Sequence, residues 1–306
     1  MDILDLQASL QFANYNGQGL NPDQLFGLQN GIQELLNNSS KHDFEELSFW
    51  GRVEGVKADY YICMGVTYTD KYEFPEKRFY WASSNDFKFK AFPTLNDQHL
   101  KTFEETNRRA GLFKGEPNLI LIEVAKPAEE APVEEAPKTE KEKDPLASTE
   151  EEDPMANFVP RNLTELDRLQ FVVYAIENEC HIVPKGSFRL TDQHEVRRNN
   201  AFRGLSIDQA CQLENYSHFR AVQDHVKQAN LEKDECVFSP DFLDEAADCH
   251  TKGSISAVRA STKQNVAMMR NHQWPGYTTY HVAGTSEHGA FYFGEGLKNL
   301  DLAFQL

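Results

Sequence analysis

Two Cys–His dipeptides, Cys180-His181 and Cys249-His250, are the residues of this chain best equipped for nucleophilic or metal chemistry. A thiolate beside an imidazole can attack a carbonyl carbon, and the two partners need only meet in space, not in sequence. A zinc site makes a stricter demand: ligands two to four residues apart, or histidines one helical turn apart. Adjacent pairs offer neither spacing. The five cysteines, Cys63, Cys180, Cys211, Cys236 and Cys249, contain no CxxC pair and are odd in number, which speaks against a zinc ribbon or a disulfide framework. Buried thiols and ordinary polar histidines are the plainer reading. The 48 acidic residues allow so many carboxylate pairs that no one pair is informative. Gly17-Gln18-Gly19 and Gly294-Glu295-Gly296 lack the third glycine and the strand-to-helix setting of a phosphate cradle, so they read as turns. No P-loop, HExxH or GxSxG is present. The sequence therefore predicts no catalytic residue, no cofactor and no metal site. A hydrolase or transferase with a spatially assembled Cys–His or carboxylate site is the alternative.

Aromatic side chains, 11% of the chain, carry the stronger signal. They cluster in segments with strand character: Phe49-Trp50, Tyr60-Tyr61 and Phe79-Tyr80-Trp81 in one half, Trp274, Tyr277, Tyr280 and Phe291-Tyr292-Phe293 in the other. Alternate residues of a strand face opposite sides, so about half of such a set faces a core. The rest either lie beneath a second layer or form a face that anchors a partner. Trp50, Tyr60, Tyr61, Trp274, Pro275, Gly276, Tyr277 and Tyr280 are the candidate interface residues, with core packing as the competing reading.

The elements that must position these residues follow from periodicity and capping. Ile3, Leu6, Leu10 and Ala13 share one helical face. Asn21-Pro22 with Gln24 begins a second helix, in which Leu25, Leu28, Ile32 and Leu35 repeat at helical spacing. Strands are predicted over 49–55, 59–65, 79–81 and 118–125, with a helix near 96–110. Later, Leu163, Leu166, Leu169, Val173 and Ile176 predict a helix with acids near its start. His181 to Gly186 reads as a strand ending in a turn. Ser206 with Gln209 is a second capping box. Strands near 254–260, 265–271, 277–283 and 290–294 are spaced for an antiparallel meander. The expected class is α+β: antiparallel sheets with N-terminal helices and short packing helices.

Composition divides the chain. Residues 126–154 hold five prolines, eleven acids, four bases and no aromatic residue, so they bury too little apolar surface to offset ordering entropy. The expected organisation is 1–125, a helical and β part; 126–158, a disordered acidic linker or insertion; and 159–306, an α+β part ending in the meander. The net charge of -17 disfavours nucleic acid and anionic membranes as partners. No apolar run is long enough to span a bilayer, and acids stand where a secretory signal has bases. An intracellular, soluble protein is expected.

The same segments carry a family resemblance. Phe49-Trp50-Gly51-Arg52-Val53-Glu54-Gly55 with Ala58-Asp59-Tyr60-Tyr61-Ile62 resembles the N-terminal signature of the radial spoke head 4/6/9-type family. Gly19 to Asp23, Phe113 to Pro117, Ile182 to Gly186, Phe202 to Ser206, Tyr216 to Arg220, Trp274 to His281 and Lys298 to Phe304 match in the same order. The resemblance covers nearly the whole chain apart from the acidic segment. Kinship with the longer 4/6-type members is clearest around 163–188. The resemblance implies a structural, non-catalytic subunit of the radial spoke head in the axoneme of motile cilia and flagella. It implies partners among the 4/6-type head subunits and the spoke neck and stalk proteins. The central apparatus is the functional neighbour whose signals reach dynein through the spoke. It supplies no catalytic residue to carry over.

Overall fold

The computed structural model of the chain describes residues 1, 3, 6–38, 44–69, 73–107, 111–122, 162–239, 241–261 and 265–305. The predicted linker at 126–158 lies outside the described residues, as does the end of the strand expected at 118–125.

Helices α1 (Leu6–Asn14) and α2 (Pro22–Asn37) come first. Strands β1 (Glu46–Val53), β2 (Tyr60–Thr67), β3 (Glu76–Ser83) and β4 (Lys90–Ala91) follow, then α3 (Asp97–Asn107) and β5 (Ile120–Ile122). Beyond the acidic segment come β6 (Leu163–Thr164), α4 (Glu165–Cys180), β7 (Ile182–Pro184), β8 (Phe188–Leu190), β9 (Val196–Arg198), α5 (Ile207–Ala210), β10 (Tyr216–His218), α6 (His225–Leu231) and α7 (Ala246–Cys249). The chain ends with β11 (Ile255–Ser261), β12 (Val266–Asn271), β13 (Tyr277–Val282), β14 (His288–Gly294) and α8 (Leu302–Gln305). Both predicted capping boxes are made. Gln24 Oε1 accepts from Asn21 N–H at 3.0 Å, and Ser206 and Gln209 exchange bonds of 3.3 and 3.2 Å.

One eight-stranded sheet in the order β11-β12-β13-β14-β1-β2-β3-β4 dominates the α+β fold. Each half of the chain supplies a four-stranded antiparallel meander. The two meet at a parallel pair in which Gly51, Arg52 and Val53 of β1 lie beside Tyr292, Phe293 and Gly294 of β14. The predicted meander is present, but this parallel join was not expected: pairing across some 240 residues leaves no local sequence trace.

Helices cover both faces of the sheet. Leu6, Leu10 and Phe12 of α1 and Leu28, Ile32 and Leu35 of α2 pack on Phe49, Tyr61, Cys63, Tyr80, Met268, Tyr280 and Phe291. On the opposite face Leu169, Val172, Val173, Ile176 and Cys180 of α4 pack on Trp50, Tyr60, Ile62, Phe79, Tyr277 and Tyr292. Each such aliphatic side chain contributes about 1.5–3 kcal/mol by leaving water. A smaller cluster around Val183, Phe188, Phe219, Phe242 and Leu243 organises residues 183–243 beside the sheet.

One motif glycine, Gly51, lets β1 close up on β14 at the join, and a second, Gly276, lets the start of β13 close up on the other side of β14. A bulge in β1 between Phe49 and Gly51 shifts the register against β2. It lets Phe49 face α1 and α2 while Val53 faces the α4 side; regular alternation would put both on one face. Gly51 has φ +154°, and a Cβ there would sit 2.0 Å from Tyr292 O. Gly276 has φ +102°, and its Cβ would meet Phe293 O at 2.1 Å. Both press against the backbone of β14, where only glycine fits.

Candidate partner-binding surface

Three glutamates of α4 hold the motif aromatics. The buried Glu165 carboxylate accepts from the Tyr60 hydroxyl at 2.7 Å. It also takes the backbone N–H groups of Lys114, Gly115 and Glu116 at 2.8, 2.8 and 3.0 Å. The loop Phe113 to Pro117 is thereby wrapped round one carboxylate, and Arg168 lies over the Phe113 ring at 4.2 Å. Burial and Glu165 together push the Tyr60 phenol far above its ordinary range. One helix end further on, Glu177 accepts from Trp50 Nε1 at 2.9 Å and Lys77 Nζ at 2.6 Å. His181 Nδ1 donates to the same carboxylate. Glu179 accepts from Trp274 Nε1 and Lys298 Nζ, each at 2.8 Å.

Electrostatics at Glu177 are those of a buried ion pair. Its side chain is 2% exposed and that of Lys77 is 9%. Burial alone would raise the carboxyl, but His181 and Lys77 beside it bring it well below the usual carboxylate range. Burial lowers both Lys77 and His181 against the pull of Glu177. Lys77 also donates to Phe219 O and lies 4.6 Å from the Phe219 ring.

Trp50, Tyr60, Tyr61, Trp274, Tyr277 and Tyr280 are each at most 4% exposed in the chain. Their side chains fill its own core, whereas Pro275 is exposed and Gly276 half-buried. The reason is the helical layer on each face of the sheet, which covers these six side chains among the described residues.

The Cys–His pairs are not brought together as a nucleophile and base. Cys180 is buried, receives Asn271 Nδ2 at 3.2 Å, and has its thiol pushed up by burial. Its neighbour His181 is engaged by Glu177. Cys249 Sγ lies 3.7 Å from Arg220 Nη2. The His250 ring lies instead against His218, centroids 4.9 Å apart. Burial first, then Arg220 and His250, pushes His218 down to about 3. Among the described residues no group of three or more His, Cys, Asp or Glu is placed to hold a metal ion. No helix of the described residues is long and apolar enough to cross a membrane.

A groove of about 850 Å3 runs between α3, α4 and the segment before α8. Leu100 of α3, Phe171 and Tyr174 of α4, Trp274, Leu297 and Leu300 line it. Leu300 is 56% exposed. Glu104, Glu179 and Lys298 also border it, two carboxylates against one ammonium. Sequence reasoning singled out Trp274 and missed the groove, because its walls come from segments about 200 residues apart. The i, i+4 pair Glu177–His181 inside an apolar helical stripe was the available hint that α4 carries buried polar groups.

Helices on both faces of one sheet, with α4 acids engaged in holding its aromatics, define an α+β protein with an apolar groove. The radial spokehead-like protein family matches residues 1–170. Radial spoke head protein 9 homologs from Bos taurus, Danio rerio and Homo sapiens are 31%, 30% and 29% identical over 306 residues, covering all of both chains in each case. The chain belongs to the radial spokehead-like family. Membership implies a structural role in the ciliary radial spoke. Radial spoke head homologues are components of the ciliary and flagellar axoneme.

Proposed function

We propose that the protein is a non-catalytic subunit of the radial spoke head, where it helps assemble the spoke and passes signals of the central apparatus towards dynein. The similarity over the full length of the curated relatives is the observation that carries this reading. The fold supports it: the motif residues Trp50, Tyr60 and Trp274 spend their polar atoms on α4 carboxylates, so they stiffen a scaffold instead of meeting a substrate. Such a body transmits load between neighbours without a chemical step. The purified protein is expected to hydrolyse no nucleotide.

The groove beside Trp274 is the docking site in this reading. Its occupant is an amphipathic helix of a 4/6-type head subunit, with a basic flank. The apolar lining suits the helix face, and the surplus of rim carboxylate, on a chain of net charge -17, suits the basic flank. Neck and stalk proteins contact other surfaces. The test is co-purification of the full chain with 4/6-type subunits. Leu300→Asp places a charge on an exposed side chain, so it should leave melting unchanged and weaken capture at least tenfold. Unchanged capture by a folded Leu300→Asp protein would rule out the groove as the docking site, and failure of the wild type to co-purify would rule out the partner.

A further inference from the structure

The two edges of the central sheet are finished differently. The β3 edge is blunted. Pro75 precedes it, Lys77 turns its ammonium inward to Glu177, and Tyr174 Oη donates to the outward-facing Lys77 carbonyl at 3.5 Å. Beyond that point β4 covers Tyr80 and Trp81. Inward charges, proline and a short covering strand are how proteins protect an edge from pairing. The β11 edge has none of these; its one irregularity is a bulge between Arg259 and Ser261, which lies past the regular stretch Ile255 to Arg259. Its sequence, Ile255-Ser256-Ala257-Val258-Arg259-Ala260-Ser261, contains one charge and small or β-branched neighbours.

Which backbone groups β11 leaves open follows from its register. His272 N–H bonds Ser254 O at 2.8 Å, so 254 and 272 form a hydrogen-bonded pair. Pairs alternate along an antiparallel ladder, so Ser256–Arg270 and Val258–Met268 bond inward and the backbone of Ile255, Ala257 and Arg259 points outward. The next ladder agrees. Ala283 N–H bonds Asn265 O, which assigns Ala267 and Met269 to β13 and leaves Met268 to β11. Among the described residues nothing pairs with the outward N–H and C=O groups of Ile255, Ala257 and Arg259.

We propose that this edge is a homodimer interface, in which β11 of a second copy pairs antiparallel with β11 about a two-fold axis through Ala257. That register is singled out by the pattern itself. Ala257 faces Ala257 of the other copy, and Ile255 faces Arg259 in both directions. The three hydrogen-bonded pairs then use every outward group of both edges. No cation faces a cation: Arg259 opposes an apolar residue, lies about 14 Å along the ladder from its symmetry mate, and keeps its own counter-ion in Asp208 at 3.2 Å. The contact is isologous and closes after two copies. It lies at the opposite end of the sheet order from β3 and uses none of the groove residues.

Sedimentation velocity on the full chain over a concentration series tests this. The wild type should show a monomer–dimer equilibrium that tightens as salt rises, because each copy carries a net charge of -17. Ala257→Pro deletes an outward N–H without touching the inner ladder, and should weaken dimerisation at least tenfold. Ala257→Asp sets two carboxylates face to face on the axis. It should do the same at low salt and recover partly at high salt, and it decides the matter if the proline variant does not fold. Leu300→Asp should dimerise like the wild type. A monomeric wild type, variants at Ala257 that dimerise normally, or loss of the dimer in Leu300→Asp would each overturn the proposal.

Discussion

Replacing Glu177 tests whether α4 is pinned to the sheet by a buried polar hub. Exposed ion pairs are worth at most about 1 kcal/mol, but Glu177 and Lys77 are 2% and 9% exposed. Glu177→Ala would strand the Lys77 ammonium and the Trp50 indole N–H in the core. Breaking one partner of a buried pair costs about 3–5 kcal/mol, and for a chain of this size each kcal/mol lowers Tm by about 2 °C. A fall of about 6–10 °C in a calorimetric scan is expected. Lys77→Met alone should also destabilise. Adding it to Glu177→Gln should recover part of the loss, because removing both charges together is far cheaper than removing one. The pH dependence has a definite sign. Glu177 is held below the ordinary carboxylate range, so its stabilisation is complete above the unfolded value of about 4.3 and is lost as pH falls through its lower, folded value. The Tm gap between wild type and Glu177→Gln should therefore narrow as pH falls below about 4. His181 is buried and lowered; its unfolded form takes up a proton below about 6.5, so it too favours the folded state at higher pH. A Glu177→Ala protein within about 2 °C of wild type, or strictly additive Lys77 and Glu177 effects, would refute the hub.

The remaining predictions concern the other anchors. Glu165→Ala should destabilise by more than about 3 kcal/mol, since it strands the Tyr60 hydroxyl and three backbone N–H groups; Tyr60→Phe should cost about 1.5–3 kcal/mol, both read by denaturant melts. Gly51→Ala and Gly276→Ala should each cost at least about 2 kcal/mol through strained φ and a clash with β14, while Gly284→Ala, where nothing lies within 4 Å, should cost less in the same melts. Trp274→Phe should lower stability by roughly 1.5–3 kcal/mol by freeing the buried-edge bond to Glu179, and an unchanged melting curve would show that bond to be idle.

Much of this architecture was legible in the sequence because its elements are locally encoded. The capping residues Asn21-Gln24 and Ser206-Gln209, the apolar spacing of α2 and α4, and the alternation of the last four strands all act within a few residues. The parallel contact of β1 with β14 is a long-range event, and of the motif glycines Gly51 alone lies at it. The aromatics could not be assigned to core or surface from their own strands, because that depends on α1, α2 and α4 lying over opposite faces. The acids of α4 were misleading in a different way. Acids at a helix start favour the macrodipole, and that sufficient local reason hid the fact that Glu165 reaches the loop at 113–116.

As a built-in part of the spoke head, the protein should resist extraction from the axoneme. Fractionation of ciliated cells reads this out, with the protein followed through detergent extraction and a salt wash of isolated axonemes. It is expected to stay with the salt-washed axoneme and to be released only together with the 4/6-type head subunits. An even cytosolic distribution, or release at low salt while those subunits stay behind, would contradict it.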